Sequence, residues 1–98
     1  HRETKDKVLN IIQTGNKKKQ LLAAICHGPV LFAAAGIIEN KYIAGHHAVE
    51  LPVIIANGYY IKEKAVIDGN LISGNWPYFE TFASTVAKKL INPYKELK

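Results

Sequence analysis

The sequence predicts an α/β fold in which helices cover a doubly wound, mostly parallel sheet, and three observations lead to this prediction. Residues 21–25 form a short, continuous apolar run, which is typical of a strand buried on both faces of a parallel sheet. Helical patterns stand before and after this run, and an α-β-α order is characteristic of doubly wound sheets. Farther on, Asp68-Gly69-Asn70 separates two short apolar runs, which predicts a β-hairpin before the last helix.

The first helix is predicted to cover one face of the sheet. Thr4 is expected to cap it and Gly15 to end it, and its apolar residues recur at helical spacing, namely Val8, Leu9, Ile11 and Ile12. The basic run 17–19 follows, with no aromatic residue interleaved. We therefore interpret this run as a solvated loop rather than a binding patch for an anionic partner.

The single cysteine lies in the next turn. Cys26, His27 and Gly28 separate the apolar strand from a helix that Pro29 can begin and Gly36 can end. A turn of this kind, a nucleophile elbow, lifts its side chain out of the sheet at the carboxyl end of a strand and favours the reactive thiolate. A buried structural cysteine is the alternative interpretation, and the local pattern does not decide between the two.

A short strand over 41–44 and a shortened helix over 48–56 are predicted next. Between them lies His46, which follows Cys26 by 20 residues, and the end of a parallel strand would bring it to the same edge of the sheet. We therefore expect His46 near Cys26, although the pair His46-His47 could instead ligate a metal, begin a helix or lie at the surface. No Cys or carboxylate at ligand spacing completes a metal site, so neither a metal nor another cofactor is predicted.

The last helix is predicted to begin at Asn75-Trp76-Pro77. Its apolar residues follow the helical rule and are expected to cover the core; they are Phe79, Phe82, Ala83, Val86 and Leu90. This helix is therefore interpreted as a packing element with no chemistry of its own.

Composition narrows the class of protein. The chain has 98 residues, of which 48% are hydrophobic and 21% charged, as in a single small globular domain. No apolar run approaches the ~18 residues of a membrane-spanning helix, and the net charge of +5 comes with no nucleic-acid-binding module. Neither a membrane nor a nucleic acid is therefore expected as a partner.

One cysteine cannot form an internal disulfide, so a reducing, cytoplasmic setting is expected.

Two blocks of sequence resemble a known family. Ala23-Ala24-Ile25-Cys26-His27-Gly28-Pro29 and, farther on, Val66-Ile67-Asp68-Gly69-Asn70-Leu71-Ile72-Ser73 are similar to motifs of the PfpI/ThiJ family, in the class I glutamine amidotransferase-like superfamily. The resemblance covers the chain from Arg2 onward but only the C-terminal half of the family's domain. It implies the C-terminal part of a flavodoxin-like, doubly wound sheet, with residues 1–98 as one partial domain without the family's N-terminal strands. The absence of methionine agrees with this expectation.

The same resemblance implies a cysteine-dependent hydrolase, either a protease or amidase or a glyoxalase or deglycase. Cys26 is implied as the nucleophile, His27 as its adjacent histidine, and the backbone N–H of His27, in the turn that Gly28 completes, as an oxyanion donor. His46 is expected beside them. The implied substrates are small aldehydes or peptides, and the implied assembly is a homo-oligomer, a dimer or larger.

Other functions remain open at this point. The family's glutamate and glycine-rich oxyanion loop have no counterpart here, so the chain alone is expected to be an incomplete enzyme. A redox sensor or chaperone built on Cys26, or a non-catalytic fragment that completes its sheet with another chain, are the alternatives. Glutamine amidotransferase activity is disfavoured, because no histidine follows His47 to form that class's late His-x-Glu pair. Where the family often has Thr-Ser-Arg, this chain has Ser73-Gly74-Asn75, so contacts through that arginine are lost.

Overall fold

The computed structural model describes residues 2–91, and its elements follow the predicted α/β order. The helices are α1 (Arg2–Lys17), α2 (Pro29–Ala34), α3 (Glu50–Ile55) and α4 (Phe79–Ile91), and the strands are β1 (Leu22–Ile25), β2 (Tyr42–Ile43), β3 (Tyr59–Tyr60), β4 (Ala65–Asp68) and β5 (Leu71–Gly74). Short 3-10 turns at His47–Val49 and Trp76–Tyr78 lead into α3 and α4. None of the helices in this described part combines the length and the apolar character that crossing a membrane requires.

Strand β5 is the centre of the larger sheet, whose order is β1-β5-β4. It pairs in parallel with β1, with Ala23 opposite Ile72, and antiparallel with β4, with Ile67 opposite Ile72. Strands β2 and β3 form a second, parallel pair. The parallel pairs and the β4–β5 hairpin confirm the predicted sheet.

One buried side chain joins the two sheets. Ser73, on β5, is 1% exposed, and its Oγ accepts a hydrogen bond of 2.9 Å from the N–H of Ala44, just after β2. Because a buried N–H without an acceptor is costly, this contact fixes the end of β2 beside the central strand. The apolar core lies around it and is formed by Phe32, Ile38, Ile43, Val49, Val53 and Leu71.

One edge of β1 is unpaired among the described residues. Leu22 N–H donates to Asn70 and Cys26 N–H to Gly74, both at 2.8 Å, so alternate N–H groups of the strand face β5. The N–H groups of Ala23 and Ile25 therefore point to the opposite edge. The prediction of a strand buried on both faces was wrong, since the Ala23 side chain is exposed and no described element covers it.

The helix ends differ in part from the predictions. Thr4 is not the cap of α1, which already includes Arg2, and Gly15 does not end it, since α1 continues to Lys17. Gly15 is buried because the chain turns back closely over it: a Cβ there would lie 3.3 Å from a methyl of Leu22. Its small size serves packing rather than termination.

The apolar stripe predicted for α4 is only partly used. Phe82 and Val86 are half-buried, whereas Phe79 and Leu90 are exposed by 49% and 66%. No described element lies over the outer part of this stripe, so α4 covers the sheet with one side of its apolar surface only.

Candidate active site

Cys26 lies at the tip of the turn between β1 and α2, in an uncommon backbone conformation. Its φ is +61°, in the left-handed region that residues other than glycine rarely adopt. Two neighbours hold it there: the Cys26 N–H donates to the Gly74 carbonyl at the end of β5, and the Cys26 carbonyl accepts from the His46 N–H, both at 2.8 Å. A strained residue of this kind costs about 1–3 kcal/mol and persists only where its surroundings fix it.

The turn also requires two glycines for reasons of space. Gly28 N–H donates to the Ile25 carbonyl at 2.9 Å, and a Cβ on Gly28 would lie 3.0 Å from that carbonyl oxygen. A Cβ on Gly45, in the loop that passes behind the turn, would lie 2.9 Å from the carbonyl oxygen of Cys26. The close approach of these backbones therefore brings the loop of His46 against the cysteine.

Three histidine rings form a stack beside the thiol. The Cys26 Sγ lies 3.2 Å from His27 Nδ1. The rings of His27 and His46 stack with their centroids 4.3 Å apart, and those of His46 and His47 lie 4.0 Å apart. The structure therefore brings together Cys26, His27 and His46, which the sequence singled out.

His46 also begins the 3-10 turn that leads into α3. Its Nδ1 accepts a hydrogen bond of 3.0 Å from the Ala48 N–H, so its position near Cys26 and its role at a helix start occur together. Within residues 2–91 no group of three His, Cys, Asp or Glu side chains could hold a metal ion.

The environment of His46 lowers its pKa below the usual 6.5. Desolvation by the surrounding protein contributes most, followed by the charges that His47 and His27 would carry. With Nδ1 accepting from a backbone N–H, the neutral ring carries its proton on Nε2. The environment therefore favours the neutral form of His46, the central ring of the stack.

This shift predicts loss of stability in mild acid. Between the lowered pKa of folded His46 and the unfolded value of 6.5, the unfolded chain binds more protons, so stability falls as pH drops below 6.5 and is independent of this group above it. We expect the melting temperature to fall from about pH 7 to about pH 5. His46→Asn should show a shallower fall, because Asn keeps an acceptor for the Ala48 N–H and does not titrate. Equal pH profiles for the two proteins would refute the assignment.

A cavity of about 420 Å³ adjoins this site, and its lining contains residues that the sequence did not single out. The lining residues include Gly45, His47, Tyr60 and Asn75. Tyr60 donates from its hydroxyl to the Gly45 carbonyl at 2.9 Å, and burial, followed by the charge of Glu50, raises its pKa. Nothing in the periodicity of the sequence signals this contact.

Asn75, the first residue after β5, is one of these lining residues. Its Oδ1 is buried with no hydrogen-bond donor among residues 2–91.

The Cys26 side chain is not part of the cavity lining, so the cavity lies beside the thiol and not around it. No carboxylate of the described residues forms a hydrogen bond with the thiol.

These features define the class of protein: a flavodoxin-like α/β protein with a cysteine at the carboxyl end of a parallel strand. The model of the DJ-1/PfpI family matches residues 1–89. The chain therefore belongs to the DJ-1/PfpI family, as the resemblance of its two motif blocks implied.

Individual relatives agree with this assignment. The chain is 33% identical over 82 residues to protein DJ-1 homolog D of Arabidopsis thaliana, covering 79% of this chain and 21% of that protein. It is 25% identical over 72 residues to a deglycase of Pyrococcus horikoshii, covering 74% of this chain and 43% of the deglycase.

A solved structure shows the same fold. It is a two-domain protein of Anabaena variabilis with DJ-1/ThiJ/PfpI-like and ferritin-like domains, which matches with a TM-score of 0.81 and 27% identity. The match covers 88% of this chain and 27% of that one. The chain thus spans less than half the length of each of these three proteins.

Proposed function

We propose that this chain carries the nucleophilic cysteine of a cysteine-dependent hydrolase or deglycase that acts on small aldehydes or acyl groups. The observation that carries the proposal is the turn itself: a cysteine at φ +61°, with its Sγ 3.2 Å from His27 Nδ1. The deglycase among the relatives supports this choice of chemistry. The elbow then presents the sulfur at the carboxyl edge of the sheet, where open α/β folds bind ligands.

The first chemical step follows from these contacts. His27 Nδ1 accepts the thiol proton, and the Cys26 sulfur attacks the carbonyl carbon of an aldehyde, forming a C–S bond while the π electrons move to oxygen. The His27 N–H has no hydrogen-bond acceptor among residues 2–91 and would donate to this oxyanion. The imidazolium then returns the proton to the oxygen, which gives a neutral hemithioacetal.

Later steps need groups that this chain does not supply. The resemblance assigns a glutamate and a glycine-rich oxyanion loop to the other half of the family's domain. We therefore propose that these residues hold the nucleophile and its histidine, and that turnover requires the complementary half. His46 acts as a positioning residue here, because its N–H holds the Cys26 carbonyl and its ring stacks on His27.

Alkylation of the thiol tests this proposal. Cys26 is the only cysteine, so its reaction with iodoacetamide near neutral pH can be followed by mass spectrometry without other changes. We expect the folded chain to react at least about tenfold faster than the urea-unfolded chain, because His27 Nδ1, 3.2 Å from the sulfur, can accept the thiol proton as the new bond to sulfur forms. His27→Gln should lose most of this advantage.

The matched control is His47→Gln, which removes an imidazole of the same stack that lies beyond His46 and does not contact the sulfur. Circular dichroism should report the same fold for all three proteins. A folded chain that reacts no faster than the unfolded one would refute the proposal. Equal effects of the two substitutions would refute the role of His27.

A second candidate function is favoured by the unpaired edge of β1. We propose that this edge, with the N–H groups of Ala23 and Ile25, pairs with a strand from a second copy of the chain. Exposed apolar side chains on the helices before and after β1 support the proposal; they include Ile11 on α1, which is 70% exposed, and Leu31 on α2, which is 45% exposed. In this case the chain acts as one part of an assembly that completes the sheet.

A further inference from the structure

A second cavity, of about 540 Å³, lies at the end of the larger sheet opposite to Cys26, beside the β4–β5 turn. We propose that this cavity binds the phosphate group of a small phosphorylated molecule. It shares no lining residue with the cavity beside the histidines. The inference is therefore independent of the cysteine chemistry.

The charge of the cavity comes from three lysines that separate parts of the chain bring together. Lys19 lies in the loop between α1 and β1, Lys41 directly precedes β2, and Lys89 lies in the last turns of α4. No Asp or Glu is among the described lining residues. The basic run 17–19, interpreted from sequence as a solvated loop, thus contributes one of three converging cations.

One of these lysines is fixed in place. Lys41 Nζ lies 3.8 Å from the Asp68 carboxylate and 3.4 Å from the position that a Cβ on Gly69 would occupy. The ammonium group therefore lies against the backbone of the hairpin turn. Lys19 and Lys89 have no carboxylate within salt-bridge distance among residues 2–91. The cavity consequently keeps a positive charge for an anion to neutralise.

Lys19 follows the C-terminus of α1 but is not needed to cap that helix. Cations often serve to satisfy the free carbonyls at a helix C-terminus. Here the carbonyls of Thr14, Gly15 and Asn16 already accept hydrogen bonds of 2.9–3.1 Å from the N–H groups of residues 18–20. Lys19 is thus not required as a cap, and its side chain is available to a ligand.

The side-chain amide of Asn16 adds directional donors, and Asn70 orients it. Asn70 donates from its Nδ2 to Asn16 Oδ1 at 3.1 Å and to the Gln20 carbonyl at 2.9 Å. Because the Oδ1 of Asn16 accepts the bond from Asn70, the N–H groups of the Asn16 amide are the donors available to a ligand. Ammonium and amide donors around one space suit a phosphate, whose several oxygens accept from all of them.

Size and lining indicate a small molecule rather than a nucleic acid. The volume falls within the roughly 300–1,000 Å³ of ordinary ligand pockets. Among residues 2–91 the lining contains one apolar side chain, Ile37, and no aromatic ring on which a base could stack. A phosphate ester or a short polyphosphate is the chemistry that this set of groups recognises.

Titration of the ¹⁵N-labelled chain with inorganic phosphate, pyrophosphate and ribose 5-phosphate tests the proposal at low ionic strength. We expect saturable shifts of the Gly69 N–H and of the Asn16 and Asn70 side-chain amides. Lys19→Gln and Lys89→Gln should each weaken binding at least about fivefold, since each removes one charge-assisted contact. If ribose 5-phosphate binds more tightly than inorganic phosphate, the preferred ligand is an organic phosphate ester. If the two bind equally, the cavity recognises the phosphate group alone.

The matched control is Lys7→Gln, which removes the same charge from the exposed surface of α1 outside the cavity. Its affinity should equal that of the unchanged chain. Absence of saturable binding of all three probes would overturn the proposal. Equal weakening by Lys7→Gln and Lys19→Gln would also overturn it, because the attraction would then follow net charge alone.

Discussion

Gly45→Ala is expected to destabilise the protein by about 2–3 kcal/mol, because the added methyl overfills the space behind the cysteine turn. Its Cβ would lie 2.9 Å from the Cys26 carbonyl oxygen, 3.0 Å from a methyl of Val49 and 3.2 Å from the ring of Pro29. The nearest of these atoms is backbone that is already bonded to the His46 N–H. Urea unfolding followed by circular dichroism measures the loss.

Gly36→Ala is the matched control for this change. No atom lies within 4 Å of a Cβ at Gly36, but its φ of +73° makes alanine unfavourable there by about 1–2 kcal/mol. Comparison of the two variants separates a steric clash from backbone strain. The alkylation rate of Cys26 should also fall in Gly45→Ala and stay unchanged in Gly36→Ala. If Gly45→Ala cost no more than its control, the close approach would not matter for folding.

Ala23→Pro is expected to abolish self-association while leaving the fold intact. The Ala23 N–H points to the unpaired edge of β1, so proline there removes no bond to β5 but prevents another strand from pairing. In sedimentation velocity the unchanged chain should form dimers or larger species at micromolar concentration. The proline variant should sediment as a monomer.

Ala23→Val provides the control, since valine keeps the N–H and favours the extended strand. It should associate like the unchanged chain, and melting curves should verify that both variants fold. A compact, cooperatively melting monomer for the unchanged chain would exclude the proposed assembly through β1.

Local sequence signals predicted most of the fold. Pro29 and Gly36 bracket α2 correctly, because a proline needs no N–H in the first turn and a glycine adopts the left-handed conformation after the last one. The turn at Gly69 likewise identified the β4–β5 hairpin, with a φ of +60°. These residues act through their own backbone preferences, so the residue type alone is enough to predict their effect.

Features that depend on contacts distant in sequence were not predictable in the same way. The local pattern at Gly15 indicates a helix end, but the role of this glycine follows from Leu22 packing over it. The hydrogen bond from Tyr60 to Gly45 and the convergence of Lys19, Lys41 and Lys89 also require the finished fold. For the site, the strand-end rule predicted that His46 approaches Cys26, yet the ring stack and the contact to the Ala48 N–H could not be inferred from spacing.

The conformation of Cys26 depends on segments that are distant in sequence. Both hydrogen bonds that hold its φ positive come from elsewhere in the chain, from Gly74 and from His46. A short peptide that contains only the motif around the cysteine would relax to an ordinary conformation. The geometry of the motif therefore lasts only while the loop of His46 and the end of β5 stay in contact with the turn. Local opening of either segment would release the positive φ of Cys26, on which the proposed reactivity depends, without unfolding of the whole domain.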